Sequence, residues 1–218
     1  MADLKKLYDA VLNGDNKASV AITKEAIAEK TDPMELVATY MIPAMDEVGR
    51  RFECSEYFVP ELLLSARAMK SALELIRPLL AASGAQPVGR VVIGTVKGDL
   101  HDIGKNLVGS MLEGSGFEVR DLGTDVAPEK FVQAVQETNA QVVCLSSLLT
   151  VTMPAMKTTI AALENAGLRP QVKVLVGGAP GTSQYAQQIG ADAYGENANS
   201  AVTLARKMVT QSAPQVSV

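Results

Sequence analysis

The sequence predicts an α/β protein, an N-terminal helical bundle followed by a doubly wound five-stranded parallel sheet, and three observations lead there. Apolar residues recur at helical spacing over residues 1–82, divided by caps and prolines. One stretch, Ala81-Ala82-Ser83-Gly84-Ala85-Gln86-Pro87-Val88-Gly89, is rich in small residues and has no period; residues 83–89 read as a linker. Over 90–210 short β-branched runs then alternate with helical segments, and residues 211–218 read as a flexible tail.

In the first part, Leu4, Leu7, Tyr8 and Val11 mark one helical face, and Gly14 follows where a C-cap belongs. Asp15 caps a second helix running to about Lys30, while Asp32 and Pro33 form the N-cap and first-turn pair of a third. Pro43 lacks an N–H and crowds the preceding turn, so it kinks or divides that third helix. From Pro60 onward Leu62, Ala66, Met69, Leu73, Ile76 and Leu80 fall at alternating spacings of four and three, one apolar stripe on a long helix.

In the second part, the first strand is Arg90–Val96, a β-branched run suited to burial on both faces. Four more follow at Phe117–Leu122, Val142–Ser146, Val172–Val176 and Ala191–Tyr194, each preceded by a helical segment. Strands in this alternation join by right-handed crossovers into a parallel sheet. Ligands of such sheets bind beyond the carboxyl ends of the strands, so the loops after Val96, Ser146 and Val176 are expected to form one site.

Composition excludes several classes of partner. The 218 residues are 47% hydrophobic and 20% charged, enough for two modest cores. A net charge of -4 without a basic run gives nucleic acid nothing to hold by counterion release. No segment approaches the roughly 20 apolar residues that span a bilayer, and Met1–Leu7 is amphipathic, so a cytoplasmic protein without membrane association is expected. Cys54 and Cys144 lack the close spacing of a zinc site and are expected to be buried free thiols.

The loop after the first strand holds the only histidine, His101, with Asp99 two residues before it and Gly104 three after. A lone loop histidine also suits a structural role, because metal sites normally take several protein ligands. Two features favour a ligand. The imidazole sits where a doubly wound sheet binds ligands, and a carboxylate stands close enough to fix its tautomer and raise its basicity. One protein ligand suffices where a macrocycle completes the coordination of the metal.

The run Val96-Lys97-Gly98-Asp99-Leu100-His101-Asp102-Ile103-Gly104-Lys105-Asn106-Leu107-Val108 resembles the Asp-x-His-x-x-Gly signature of the corrinoid proteins of methyltransferase systems and its flanks. It is similar also to the matching module of cobalamin-dependent methionine synthase. Ser146-Ser147-Leu148-Leu149-Thr150-Val151-Thr152-Met153 resembles the segment lining the groove for the cofactor's nucleotide tail, and Val176-Gly177-Gly178-Ala179-Pro180 resembles the Gly-Gly turn. The likeness covers nearly the whole chain and implies a Rossmann or flavodoxin-like cobalamin-binding fold.

What the resemblance implies is specific by residue. His101 replaces the cofactor's own dimethylbenzimidazole on cobalt, and Asp99, Asp102, Ile103 and Gly104 accompany it in the binding loop. Ser146, Leu148, Thr150, Gly177 and Gly178 line the cleft for the tail. The hydroxyls are hydrogen-bonding groups there, and the glycines admit close backbone approach or merely serve their turns. Thr152 aligns with a serine of methionine synthase that joins the His-Asp pair in proton relay; it either bonds Asp99 in the same way or caps the helix before Pro154. Phe52 and Val59 match positions covering the upper face of the corrin, though helical spacing alone makes them bundle core.

The implied function is a methyl carrier, not catalytic on its own, with cobalamin as methylcobalamin, cob(I)alamin or hydroxocobalamin. Its implied partners are a substrate:corrinoid methyltransferase and a methylcorrinoid:acceptor methyltransferase using tetrahydrofolate or a thiol coenzyme. A reductive activase is implied as well. The likeness is to carriers serving methylamines, betaines, methanol or methoxylated aromatics. A cobalamin-dependent regulator would add an output domain, a mutase subunit would not need the bundle, and a flavodoxin-like protein would bind no cobalamin.

Overall fold

In the computed structural model, which describes residues 3–82 and 86–212, the apolar faces read from the sequence become two cores. The chain divides into a unit of Met1–Pro87 with Ser110–Gly116 and a unit of Val88–Gly109 with Phe117–Val218. Residues 83–85 of the expected linker and 213–218 of the expected tail lie outside the described residues.

In the first unit, α1 (Leu4–Leu12) buries Leu7, Ala10, Val11 and Leu12. The Asp15 carboxylate accepts from the Ala18 N–H at 3.0 Å and starts α2 (Asn16–Ala28). Asp32 accepts from the Met34 N–H at 3.0 Å and starts the single turn α3 (Pro33–Glu35). A π-helical stretch, Leu36–Met41, then leads into α4 (Ile42–Glu53). Pro43 explains the widening: it offers no N–H to the preceding turn and its ring presses on the carbonyl four residues back.

Helix α5 (Val59–Ala82) buries Leu62, Ala66, Met69, Leu73 and Ile76, leaving Leu80 half-buried. Pro78 lies inside this helix, near its end. The Ser19 hydroxyl donates to the Ala68 carbonyl at 3.0 Å and the Ser65 hydroxyl to the Leu12 carbonyl at 2.9 Å, tying α2 and α1 to α5.

The second unit holds β1 (Arg90–Thr95), β2 (Glu118–Asp121), β3 (Val142–Ser146), β4 (Lys173–Gly177) and β5 (Ala193–Gly195), all parallel, in the order β2-β1-β3-β4-β5. Its helices are α6 (Ile103–Gly114), whose residues 110–114 fall in the first unit, α7 (Pro128–Thr138), α8 (Pro154–Asn165), α9 (Ser183–Gln188) and α10 (Ala198–Ser212). On one face Val92, Val143, Leu145, Val174 and Val176 pack with Phe131, Ile160 and Leu163.

The edge strands are shorter than the apolar runs suggest. Phe117 is buried without belonging to β2, because periodicity registers burial and not pairing. At the other end of the unit, α10 reaches Ser212, so the first residues of the expected tail are helical.

Cys144 lies buried in β3, where desolvation pushes its thiol up to about 12, whereas Cys54 is exposed at the end of α4. The expectation of two buried thiols therefore fails for Cys54, which sits just past the last turn of a helix whose apolar face ends before it. No helix among the described residues is long and apolar enough to cross a membrane.

Candidate functional site

The chain leaves β1 toward β2 on one side and leaves β3 toward β4 on the other, which opens a crevice between the loops that follow β1 and β3. The first of these loops carries Asp99 and His101, the second Ser147 to Thr152. Hydrogen bonds join them. The Asp99 side chain is 0% exposed and that of His101 is 50% exposed, so the pair runs from the interior to the surface.

Asp99 Oδ1 accepts from the His101 backbone N–H at 3.0 Å and lies 2.7 Å from His101 Nδ1. Asp99 Oδ2 accepts from the Thr152 hydroxyl at 2.7 Å and from the Leu148 N–H at 2.8 Å, with the Leu149 N–H at 3.3 Å. Burial alone pushes the Asp99 carboxyl up. Donation by the His101 N–H, the Thr152 hydroxyl, the His101 ring and the Leu148 N–H outweighs it and holds the carboxyl well below the usual range. An ionised carboxylate only accepts, so Nδ1 carries the proton and Nε2 keeps a free lone pair.

Other contacts fix the loop. The Thr95 hydroxyl donates to the His101 carbonyl at 2.8 Å, and the Asp125 N–H donates to the Asp99 carbonyl at 2.9 Å. The Gly98 N–H donates to Asp125 Oδ1 at 2.8 Å, and the Lys97 ammonium lies 3.0 Å from the same carboxylate. Asp102 is exposed and accepts from the Asn106 side chain at 3.0 Å across the first turn of α6. The buried Lys105 ammonium pairs with Asp121 at the end of β2.

The segments that carry this network also expose apolar side chains. Ile103 is 85% exposed, Val151 80% and Leu100 73%, and Leu148 and Leu149 are also exposed. Four of these lie in the two loops of the crevice and Ile103 opens α6 directly after the first, a concentration of uncovered apolar side chains that marks a binding site. A Cβ at Gly104 would meet no protein atom within 4 Å, so packing does not demand glycine there. Gly178 is different: at a φ of +123° its Cβ would fall 1.8 Å from the Ser147 carbonyl oxygen. The Ser147 N–H donates to the Gly177 carbonyl at 3.2 Å, so the three expected loops meet.

Thr152, for which helix capping was the alternative, gives its hydroxyl to Asp99, while α8 has no side-chain cap. Ser146 is half-buried and Thr150 exposed, whereas the neighbouring Ser147, passed over in the sequence, is buried with its Oγ 2.7 Å from Thr152 Oγ1. Its only signal was its place one residue beyond a strand end. In the helical unit Phe52 is half-buried and Val59 exposed, so neither belongs to the bundle core. Phe58, at 62% exposure, Leu63 and Leu64 are exposed as well and were not singled out from the sequence.

Comparison with known proteins agrees in both units. Residues 89–203 and residues 3–77 each match a family model described as a B12 binding domain. The chain is 41% identical over 207 residues to dimethylamine corrinoid protein 1 of Methanosarcina acetivorans, covering 94% of this chain and 97% of the relative. A cobalamin-binding protein of Desulfitobacterium hafniense superposes with a TM-score of 0.79 at 34% identity, covering 95% of this chain and 99% of that one. A chain of the methanol:cobalamin methyltransferase complex of Methanosarcina barkeri gives 0.83 at 29% identity, over 94% of this chain and 78% of its own length.

Proposed function

The chain belongs to the family of B12-binding corrinoid proteins, and from that premise we propose that it carries methyl groups between two methyltransferases with His101 as the lower axial ligand to cobalt. The observation that carries this reading is the half-exposed His101 imidazole, pinned at Nδ1 by a buried carboxylate, in a loop where Leu100 is also exposed.

The residues present fit cobalamin. Leu100, Ile103, Leu148, Leu149 and Val151 offer apolar contacts to the corrin periphery, and the open space beside Gly104 leaves backbone accessible at the start of α6. Ser146, Thr150, Gly177 and Gly178 would line the path of the nucleotide tail, and Phe52 and Val59 are apolar side chains that the core of the helical unit does not cover. Bound cobalamin supplies the metal centre that accepts and releases the methyl group.

The chain's own residues hold and tune. The charge of the Asp99 carboxylate fixes the Nδ1–H tautomer and leaves the Nε2 lone pair free to bind a metal. Thr152 and the Leu148 N–H keep that charge in place. The same carboxylate would keep the ring oriented whether or not Nε2 held a metal. In this reading Asp99 and Thr152 serve the ligand exchange and touch no methyl donor.

The relatives, a dimethylamine corrinoid protein and a methanol:cobalamin methyltransferase complex, support a methyl carrier over a regulator or a mutase subunit. They support a substrate:corrinoid methyltransferase as the first partner. An acceptor methyltransferase using tetrahydrofolate or a thiol coenzyme, and a reductive activase, complete the proposal.

The test is reconstitution of the wild type and His101→Ala with methylcobalamin. The variant is expected to retain the cofactor and to show a shifted absorbance spectrum that added imidazole moves back toward wild type. An unchanged spectrum removes His101 from the ligand role. Failure of the wild type to exchange methyl groups with a purified partner methyltransferase would remove the carrier role.

A further inference from the structure

Ser147 is buried beside Asp99 and Thr152, yet it has no part in the arrangement proposed above. Its Oγ lies 2.7 Å from Thr152 Oγ1, 3.2 Å from the Leu149 carbonyl and 3.4 Å from Asp99 Oδ2. Thr152 Oγ1 has Asp99 Oδ2 at 2.7 Å and the Leu149 carbonyl at 2.9 Å. Each hydroxyl owns one proton.

The order of donation follows. Asp99 Oδ1 already accepts from the His101 N–H and Oδ2 from the Leu148 N–H, so a Thr152 oxygen at 2.7 Å that withheld its proton would set lone pair against lone pair in a buried site. The Thr152 proton therefore points at Asp99 Oδ2. With that proton committed, the 2.7 Å contact between the two hydroxyls is a hydrogen bond only if Ser147 donates. The reverse order strips Asp99 of its Thr152 donor and leaves the Ser147 proton to span 3.2 or 3.4 Å.

We propose that Ser147 is a positioning residue for the Asp99–His101 pair: it donates to Thr152 Oγ1, directs the Thr152 proton onto Asp99 Oδ2, and holds the carboxylate in the rotation whose Oδ1 binds His101 Nδ1. Ser147 is 1% exposed, so the chain of hydroxyls ends inside the protein. It braces the carboxylate and brings no proton from solvent; the half-exposed imidazole exchanges with water directly. The consequence for cobalt rests on the ligand reading of His101, but the orientation of the imidazole does not.

The chain has one histidine, so 15N NMR of cofactor-free protein labelled at histidine shows a single pair of ring nitrogens. At alkaline pH, where the ring is neutral, the wild type is expected to carry its proton on Nδ1. Ser147→Ala should lower the ratio of Nδ1–H to Nε2–H forms about fivefold, the equivalent of one hydrogen bond. Ser147→Thr, which keeps the hydroxyl, should restore it.

Ser147→Cys preserves size with a weaker donor and should give an intermediate ratio; it decides the matter if the alanine variant does not fold. A wild-type ratio in Ser147→Cys, or in a folded Ser147→Ala, overturns the proposal, as does a wild type protonated at Nε2. None of these readings depends on cobalamin, so failure of the carrier function leaves them intact.

Discussion

At the scale of single residues, Asp99 concentrates more constraint than any other side chain of the crevice, since both its oxygens are filled by donors and none of it reaches solvent. Asp99→Asn preserves shape but turns an amide N–H toward one set of these donors. It is expected to destabilise the cofactor-free protein by about 2–3 kcal/mol in urea unfolding, the penalty for buried polar groups left facing like partners. The pH dependence has a definite sign. The folded-state pKa of Asp99 is depressed, so its contribution is fully present above the unfolded value of about 3.9 and is lost as pH falls from there toward the folded value. Acid unfolding of Asp99→Asn should lack that increment; equal acid midpoints relative to neutral stability would contradict it.

At the scale of elements, two glycines that look alike in the sequence do opposite things. Gly178 lets the turn after β4 pass against the Ser147 backbone at a positive φ, so Gly178→Ala is expected to lose on the order of 3 kcal/mol and to disturb the Asp99 site through Ser147. Gly104 sits in the first turn of α6 with open space before it. Gly104→Ala should leave cofactor-free stability unchanged or raise it by up to about 1 kcal/mol through helix propensity, while weakening cobalamin binding in a titration. Unaltered affinity would mean that the corrin does not use that space. The π-helical stretch before Pro43 belongs to this scale too: the proline announced a break, but whether the chain would kink, part or widen depended on how Leu36, Val37 and Met41 came to be buried.

At the scale of the whole molecule, the strand order places the crevice. The loops after β1 and β3 are neighbours only because β3 pairs with β1 on the side away from β2. Binding cobalamin to the native but not the unfolded chain should stabilise the protein by about 2.7 kcal/mol at a hundredfold excess over Kd, read as a rise in Tm. No rise with added hydroxocobalamin would contradict a preformed site.

The sequence by itself determined the helical and α/β parts, the five parallel strands and the pairing of Asp99 with His101, because periodicity and short-range spacing express which residues are buried and which are neighbours along the chain. Tertiary structure alone decided that Ser147 and not Ser146 turns inward to Thr152, that Gly178 is required by the backbone of the loop after β3, and that Cys54 and Val59 stand exposed. The physical reason is the same in each case. These outcomes depend on what a residue meets across the sheet or bundle, from segments far away in the chain, and no local pattern encodes that partner.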